Sequence, residues 1–160
     1  MTVLLVLSAA FAQGAFERHD GCDVPTPVLS SVSVDDVDAC ERSCTATTGC
    51  GAYTFVSGWD RCKLHAPTDR HVAIRMFAAV VTDGVLTSPR AEHDNTGRDL
   101  ESTPRDLPSA AACGEACSAT SGCLGYSYVE GYRSCWLKKT AGVLVEKTFT
   151  CGVPTVAHKL

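Results

Sequence analysis

Residues 40–64 read CERSCTATTGCGAYTFVSGWDRCKL, and residues 113–137 read CGEACSATSGCLGYSYVEGYRSCWL. Both stretches have the cysteine pattern C-x3-C-x5-C-x11-C, and each cysteine of the second stretch follows its counterpart by 73 residues. Without gaps, 11 of the 26 positions from 40 to 65 are identical in the second copy. The chain is therefore built on a tandem repeat.

The cysteine content indicates small modules that are stabilised by disulfides. The chain has 10 cysteines in 160 residues, and two copies in that length leave each module too small to bury a large apolar core. Residues 2–12 are an apolar run that ends in a small-x-small motif, which is typical of a signal peptide; a buried amino-terminal strand is the alternative. We expect residues 1–12 to be a signal peptide and the mature protein to be secreted and extracellular.

Composition and motifs argue against several classes of function. The net charge of −4 and the scattered lysines and arginines argue against a nucleic-acid partner, and no later segment is long and apolar enough for a membrane span. The aspartates at 35, 36 and 38 suit the first turn of a helix better than a calcium loop, and the histidines lack metal-ligand spacing. No catalytic motif is present, so we expect no enzyme, no metal and no cofactor.

Each copy predicts one helix followed by a β-hairpin. Ser33 and Asp106 are candidate N-caps of helices that carry the first two cysteines of each copy. Aromatic and β-branched residues on both sides of a glycine-containing turn predict the hairpins, and a further strand is expected after each one. The expected hairpins are 51–65 and 124–138, and the further strands are 71–81 and 143–153. The fold class is α+β, with one helix packed on a small antiparallel sheet in each module.

Disulfide connectivity is open by counting alone, because four cysteines allow three pairings in each module. We favour the pairing that closes the end of the helix and ties the helix to the hairpin. The favoured pairs are Cys44–Cys50 with Cys40–Cys62, and Cys117–Cys123 with Cys113–Cys135.

Two cysteines, Cys22 and Cys151, have no partner within their own copy. In an oxidising compartment, orphan thiols are more often joined than free, so we predict a Cys22–Cys151 bridge between the modules. Intermolecular pairing, which would give a covalent dimer, and two free thiols are the alternatives.

The chain resembles two copies of the PAN/Apple module. The matching elements are the helical C-x3-C, the third cysteine ahead of AYTF or GYSY, and the hairpin ends CKL and CWLK; GRDL at 97–100 and GCDV at 21–24 are similar to the G-x-D-L element of the family. We expect module 1 at 13–81, a linker at 82–92 and module 2 at 93–160. The resemblance implies a helix on a five-stranded antiparallel sheet, the nested disulfides favoured above, and binding of protein or carbohydrate ligands without catalysis.

Aromatic residues at the predicted hairpin tips are the candidate ligand contacts. Trp59 and Tyr132 occupy equivalent positions, where the turn itself does not require a large ring. The alternative is that both rings fold over the sheet edge or pack between the modules. The other candidates are Asp60, Arg61, Arg133, Trp136 and Lys138. The second copy has more aromatic and cationic residues, so we expect the stronger site there.

The sequence thus predicts a secreted, non-catalytic, adhesion or lectin-like protein that binds glycans or extracellular and cell-surface proteins. The alternative is an accessory or structural wall protein that contacts other proteins and binds no glycan.

Overall fold

The computed structural model of the chain describes residues 16–155, and the expected signal peptide lies outside the described residues. The elements up to the first hairpin are β1 Phe16–Asp20, β2 Cys22–Asp23, β3 Val28–Ser33, α1 Val37–Ala46, β4 Ala52–Val56 and β5 Arg61–His65. The connecting elements are β6 Val72–Ala73, β7 Arg75–Thr82, β8 Val85–Leu86, β9 Arg90–Ala91 and β10 His93–Asn95. The remaining elements are β11 Arg105–Asp106, α2 Ala110–Ala119, β12 Gly125–Glu130, β13 Ser134–Lys138, β14 Leu144–Glu146 and β15 Phe149–Pro154.

Both helices begin three residues later than the sequence predicted. The N-caps are Asp36 and Ser109, whose side chains accept hydrogen bonds from the backbone N–H three residues on, at 2.7 and 3.1 Å. The predicted caps, Ser33 and Asp106, are instead the last residues of β3 and β11. The later caps are equivalent in the repeat, so the two helices keep the 73-residue offset.

Two antiparallel sheets carry the helices. The first has the strand order β1-β15-β4-β5-β3, and α1 packs on the face that contains Tyr53 and Leu64. The second has the order β11-β13-β12-β7-β8, with β9 also paired to β7, and α2 packs on the face that contains Tyr126 and Leu137. The two-stranded sheets β2-β6 and β10-β14 complete the fold. We call the sheet with α1 the first half and the sheet with α2 the second half.

The last strand of each copy lies in the sheet of the other copy. β15 follows the second hairpin but pairs with β4, and β7 follows the first hairpin but pairs with β12. The exchange is reciprocal and keeps the repeat offset, since Gly152 lies opposite Tyr53 and Ala79 lies opposite Tyr126. The strands expected at 71–81 and 143–153 therefore form, but each completes the partner sheet instead of its own.

Packing against Tyr53 explains why the exchange is preferred. A Cβ atom added to Gly152 would collide with the Tyr53 ring. The equivalent residue of β7 is Ala79, so its methyl group would meet that ring if β7 completed the first sheet. The Cys22–Cys151 disulfide adds a covalent link between β2 and β15. Steric fit and covalent linkage thus both place β15 in the first half.

All ten cysteines are paired within the chain. The five bridges have Cα–Cα separations of 5.2–5.6 Å, which suits a disulfide. They are Cys22–Cys151, Cys40–Cys62, Cys44–Cys50, Cys113–Cys135 and Cys117–Cys123, the same pairs that the sequence analysis favoured. The alternative of a covalent dimer through Cys22 or Cys151 therefore has no free thiol to use.

A shared apolar cluster joins the halves. Val56, Ile74, Met76 and Phe149 are buried together, and Val129 packs against them from the second hairpin. The expected linker at 82–92 contains β8 and β9, both paired with β7, so it is part of the second sheet. The two halves therefore share strands, a core and a disulfide.

No helix among residues 16–155 combines the length and the apolar character needed to cross a bilayer.

Candidate functional site

The two hairpin turns are pressed against the connecting segment of the opposite half. We call residues 57–60 the first tip and residues 131–133 the second tip. Gly58 and Gly131 both have positive φ angles, of 73° and 92°. A Cβ at Gly58 would come within 2.5 Å of the Glu146 carbonyl oxygen, and a Cβ at Gly131 would collide with the carbonyl oxygen of Ala73, the repeat equivalent of Glu146. Glycine is therefore required at both tips by φ and by close approach.

Trp59 lies on the first tip with its ring against a lysine from the second copy. The Lys147 Nζ atom is 4.5 Å from the centroid of the indole ring, while Trp59 itself is 50% exposed. Lys147 is only 3% exposed. Burial lowers the pKa of Lys147, and the charges of Asp94 and Asp60 oppose that shift in part. A desolvated cation–π contact of this kind contributes about 2 kcal/mol and holds the ring in one orientation.

Tyr132, the equivalent residue on the second tip, is held by a buried carboxylate. Its hydroxyl donates a 2.6 Å hydrogen bond to Asp23 Oδ2. Asp23 is 3% exposed and also accepts hydrogen bonds from Thr54 and Lys63. Burial raises the pKa of Tyr132, and the hydrogen bond to Asp23 raises it further. The structure thus places the Tyr132 hydroxyl in the contact between the halves, while Tyr132 as a whole remains 47% exposed.

The Asp23 carboxylate remains ionised in spite of its burial. Burial by itself works to raise the pKa of Asp23. Hydrogen bonds from Thr54 and Tyr132, together with the charge of Lys63, outweigh that effect and bring the pKa below its usual value. Both oxygens of the carboxylate accept hydrogen bonds from within the chain. The cluster is therefore a structural contact and not a ligand site.

The remaining candidates of the second half also have partners within the chain. The Arg133 Nε atom donates to Asp106 at 2.6 Å, with both groups exposed. Lys138 is 8% exposed and forms an ion pair with Asp99. Trp136 is half-buried and lies on the sheet face opposite α2, because its neighbours Cys135 and Leu137 are in the core beneath that helix. More of the polar groups of the second half are therefore bonded within the chain than its composition indicated.

The candidates of the first half lie together in the open. Asp60 and Arg61 follow Trp59 directly, and all three residues are exposed. The backbone carbonyl of Asp60 accepts a 3.0 Å hydrogen bond from Val34, which fixes the end of the turn. Asp60 has a φ angle of 48°, a left-handed conformation that aspartate tolerates. The first tip thus presents a half-exposed indole, a carboxylate and a guanidinium on a rigid turn.

The roles of Asp23 and Lys147 could not be found from either copy alone, because each of them contacts an aromatic residue of the other copy; Asp94 acts on Lys147 within the second copy and had no motif to mark it. The repeat itself carried one signal. Lys147 stands where the first copy has Ile74, and a lysine at an apolar repeat position indicates a charge that needs a special partner. Among the described residues, no group of three or more histidine, cysteine, aspartate or glutamate side chains is placed to hold a metal ion.

Comparison with protein families identifies both copies. Residues 13–84 match one family model of the PAN domain, and residues 93–138 match a second family model of the same domain. A search of curated proteins gives no significant match. PAN domains are protein- and carbohydrate-binding modules and are typically non-catalytic. The two matches together cover most of the sequence, and the chain belongs to the PAN domain family as a tandem PAN/Apple protein.

Proposed function

We propose that this protein is a secreted, non-catalytic binding protein whose first tip contacts the ligand. The observation that carries the proposal is the half-exposed Trp59 ring held by buried Lys147. An aromatic face in a fixed orientation loses little conformational entropy on binding, so it stacks well on a sugar ring or anchors a protein hot spot. Asp60 and Arg61 beside it supply hydrogen-bonding groups that would orient a hydroxyl-rich ligand.

Ten cysteines paired in five bridges support the secreted location, because such bridges persist in oxidising compartments. The choice of the first tip over the second rests on which polar groups are already bonded within the chain, because Trp59 and Tyr132 are exposed to nearly the same degree, at 50% and 47%. The Trp59 ring contacts the Lys147 cation and Trp59 is half exposed, whereas the Tyr132 hydroxyl and the Arg133 guanidinium already bond to carboxylates of this chain. We therefore assign the stronger site to the first half, against the ranking that composition favoured.

A glycan array probed with the oxidised protein tests the proposal. We expect binding to a defined set of glycans, and Trp59→Ala should weaken it by about 30-fold, the equivalent of about 2 kcal/mol for a hot-spot aromatic. Val85→Ala is the matched control, since Val85 is 68% exposed and lies in the second sheet. Arg133→Ala tests the second tip and should change affinity by less than about threefold.

Equal binding by Trp59→Ala and the unsubstituted protein would show that the first tip does not contact the ligand. Absence of glycan binding, together with Trp59-dependent binding to extracellular proteins, would instead favour the accessory or structural role. The same variants measured against a panel of secreted and cell-surface proteins separate these two outcomes.

A further inference from the structure

The outer edge of β3 is open in the first half. β3 is the last strand of its sheet and spans Val28–Ser33. Its residues pair with β5 on one side, and no described residue pairs with it on the other. Five of its six residues are exposed, including Val28 at 46% and Leu29 at 52%. Its unpaired N–H and C=O groups are therefore available to an additional strand.

The second half shows the same edge in a protected form. The residues equivalent to β3 are 101–106, which read ESTPRD, whereas β3 reads VLSSVS. Only Arg105 and Asp106 of that stretch pair with the sheet, as β11. Proline, charged residues and a short length are the features by which sheet edges avoid pairing with other chains. Within β3 the first half has no proline and no charge, and the strand is six residues long. Its one protective feature is the register shift between Val28 and Ser30, so the open edge from Ser30 onward is a specific difference between two otherwise equivalent positions.

The two ends of β3 differ in charge, and this difference fixes the kind of strand that fits. At its carboxyl end, Asp35 and Asp36 follow after Val34, and exposed Asp60 lies on the neighbouring β5 side, where its carbonyl accepts the hydrogen bond from Val34 N. Arg61 is the single cation at this end. At its amino end, residues 24–27 read VPTP and carry no charge. The edge is thus acidic at one end and apolar at the other.

We propose that the open edge of β3 binds an extended peptide segment of a partner protein as an additional antiparallel strand. The amino-terminal residues of the peptide are basic and lie against the acidic end, and its carboxyl-terminal residues are apolar and lie against Val28 and Leu29. Main-chain hydrogen bonds supply the affinity, and the charge difference between the ends fixes the direction. This surface is formed by backbone groups of β3, so it does not depend on the Trp59 ring.

Fluorescence anisotropy with labelled peptides tests this proposal on the intact, oxidised protein. The probe is the peptide KRTVSVL, and the comparison peptide is its reversed sequence, LVSVTRK. We expect the probe to bind at least tenfold more tightly than the reversed peptide. Successive N–H groups of a strand point to opposite sides, so only every second N–H of the probe would bond to β3. N-methylation of those residues should abolish binding, and N-methylation of the residues between them should leave binding nearly unchanged.

Protein variants give the matched controls. Asp35→Lys and Leu29→Lys should each weaken probe binding by tenfold or more. Glu115→Lys makes the same change of charge on α2 of the second half and should leave probe binding within twofold, since Glu115 is exposed and belongs to a helix that packs on the other sheet. Trp59→Ala should also leave probe binding within threefold, which separates this surface from the glycan site.

Equal binding of the probe and its reversed sequence, or indifference to N-methylation at every position, would overturn the proposal. Sedimentation velocity provides the remaining outcome, in which the protein fails to bind the probe and instead forms a concentration-dependent dimer that Leu29→Lys abolishes. That result would show that a second copy of this chain pairs with β3, and it would reject the peptide proposal.

Discussion

Tyr132→Phe removes one hydroxyl from the contact between the halves and leaves the ring in place. The lost hydrogen bond is 2.6 Å long, and its acceptor is the 3% exposed carboxylate of Asp23. A hydrogen bond to a charged group contributes about 1.5–3 kcal/mol, so we expect the free energy of unfolding to fall by that amount. For a domain of this size the loss corresponds to a decrease in Tm of about 3–12 °C.

Tyr128→Phe is the matched control for this prediction. The Tyr128 hydroxyl donates a 2.9 Å hydrogen bond to the neutral carbonyl of Leu107 within the second half. A neutral hydrogen bond contributes about 0.5–1.5 kcal/mol, so this variant should lose less stability. Urea unfolding of both variants with the disulfides intact, followed by fluorescence, gives the comparison.

The pH dependence distinguishes the charged acceptor from the neutral one. Because the pKa of Asp23 is lowered in the folded protein, its contribution is complete above the unfolded value of about 3.9 and is lost as pH falls through the folded pKa. Removal of the Tyr132 hydroxyl raises the folded pKa of Asp23, so the deficit of Tyr132→Phe should shrink as pH falls through the folded pKa of Asp23 in the variant. A deficit no larger than that of Tyr128→Phe, or one that is constant from pH 7 to pH 3, would refute the reasoning.

Three further predictions concern the junction and the core. The double variant Cys22→Ser/Cys151→Ser opens a bridge with a sequence separation of 129 residues and should lose up to about 4 kcal/mol in urea unfolding; an unchanged midpoint would contradict the interlocked halves. Gly152→Ala places a methyl group against the Tyr53 ring and should cost about 1–3 kcal/mol in the same assay, so a neutral effect would argue against the exchange. Burial lowers the pKa of His65, so the free energy of unfolding should fall as pH drops below the unfolded pKa of about 6.5. His65→Leu should remove this pH dependence in a series of melting curves. A pH dependence that survives in the variant would show that another group is its source.

The repeat made the local architecture predictable. Identical cysteine spacing with matched glycines is enough to place the helices and hairpins, since turn chemistry and helix-to-hairpin disulfides act over short distances. The helix starts were predicted three residues early because Ser33 is as good an N-cap as Asp36 by residue type. Only the pairing of β3 with β5 shows that Ser33 belongs to a strand.

The exchange of strands was beyond local patterns, because β7 and β15 are equivalent in the repeat and the close fit of Gly152 against Tyr53 is visible only once the strands are paired. The orphan cysteines were the available signal, since a Cys22–Cys151 bridge brings β15 to the first half. The partners of the two tip residues were also unpredictable. Whether Trp59 or Tyr132 is free depends on Lys147 and Asp23, and the Tyr132–Asp23 contact joins residues 109 positions apart in the chain.

The stoichiometry of ligand binding provides the sharpest test of whether the two halves form one unit with a single binding site at the first tip. Isothermal titration of the oxidised protein with the tightest ligand from the glycan array should give one site per chain, and Trp59→Ala should lose that site. Two equivalent sites per chain, or one site that Trp59→Ala leaves intact, would contradict a single site at the first tip.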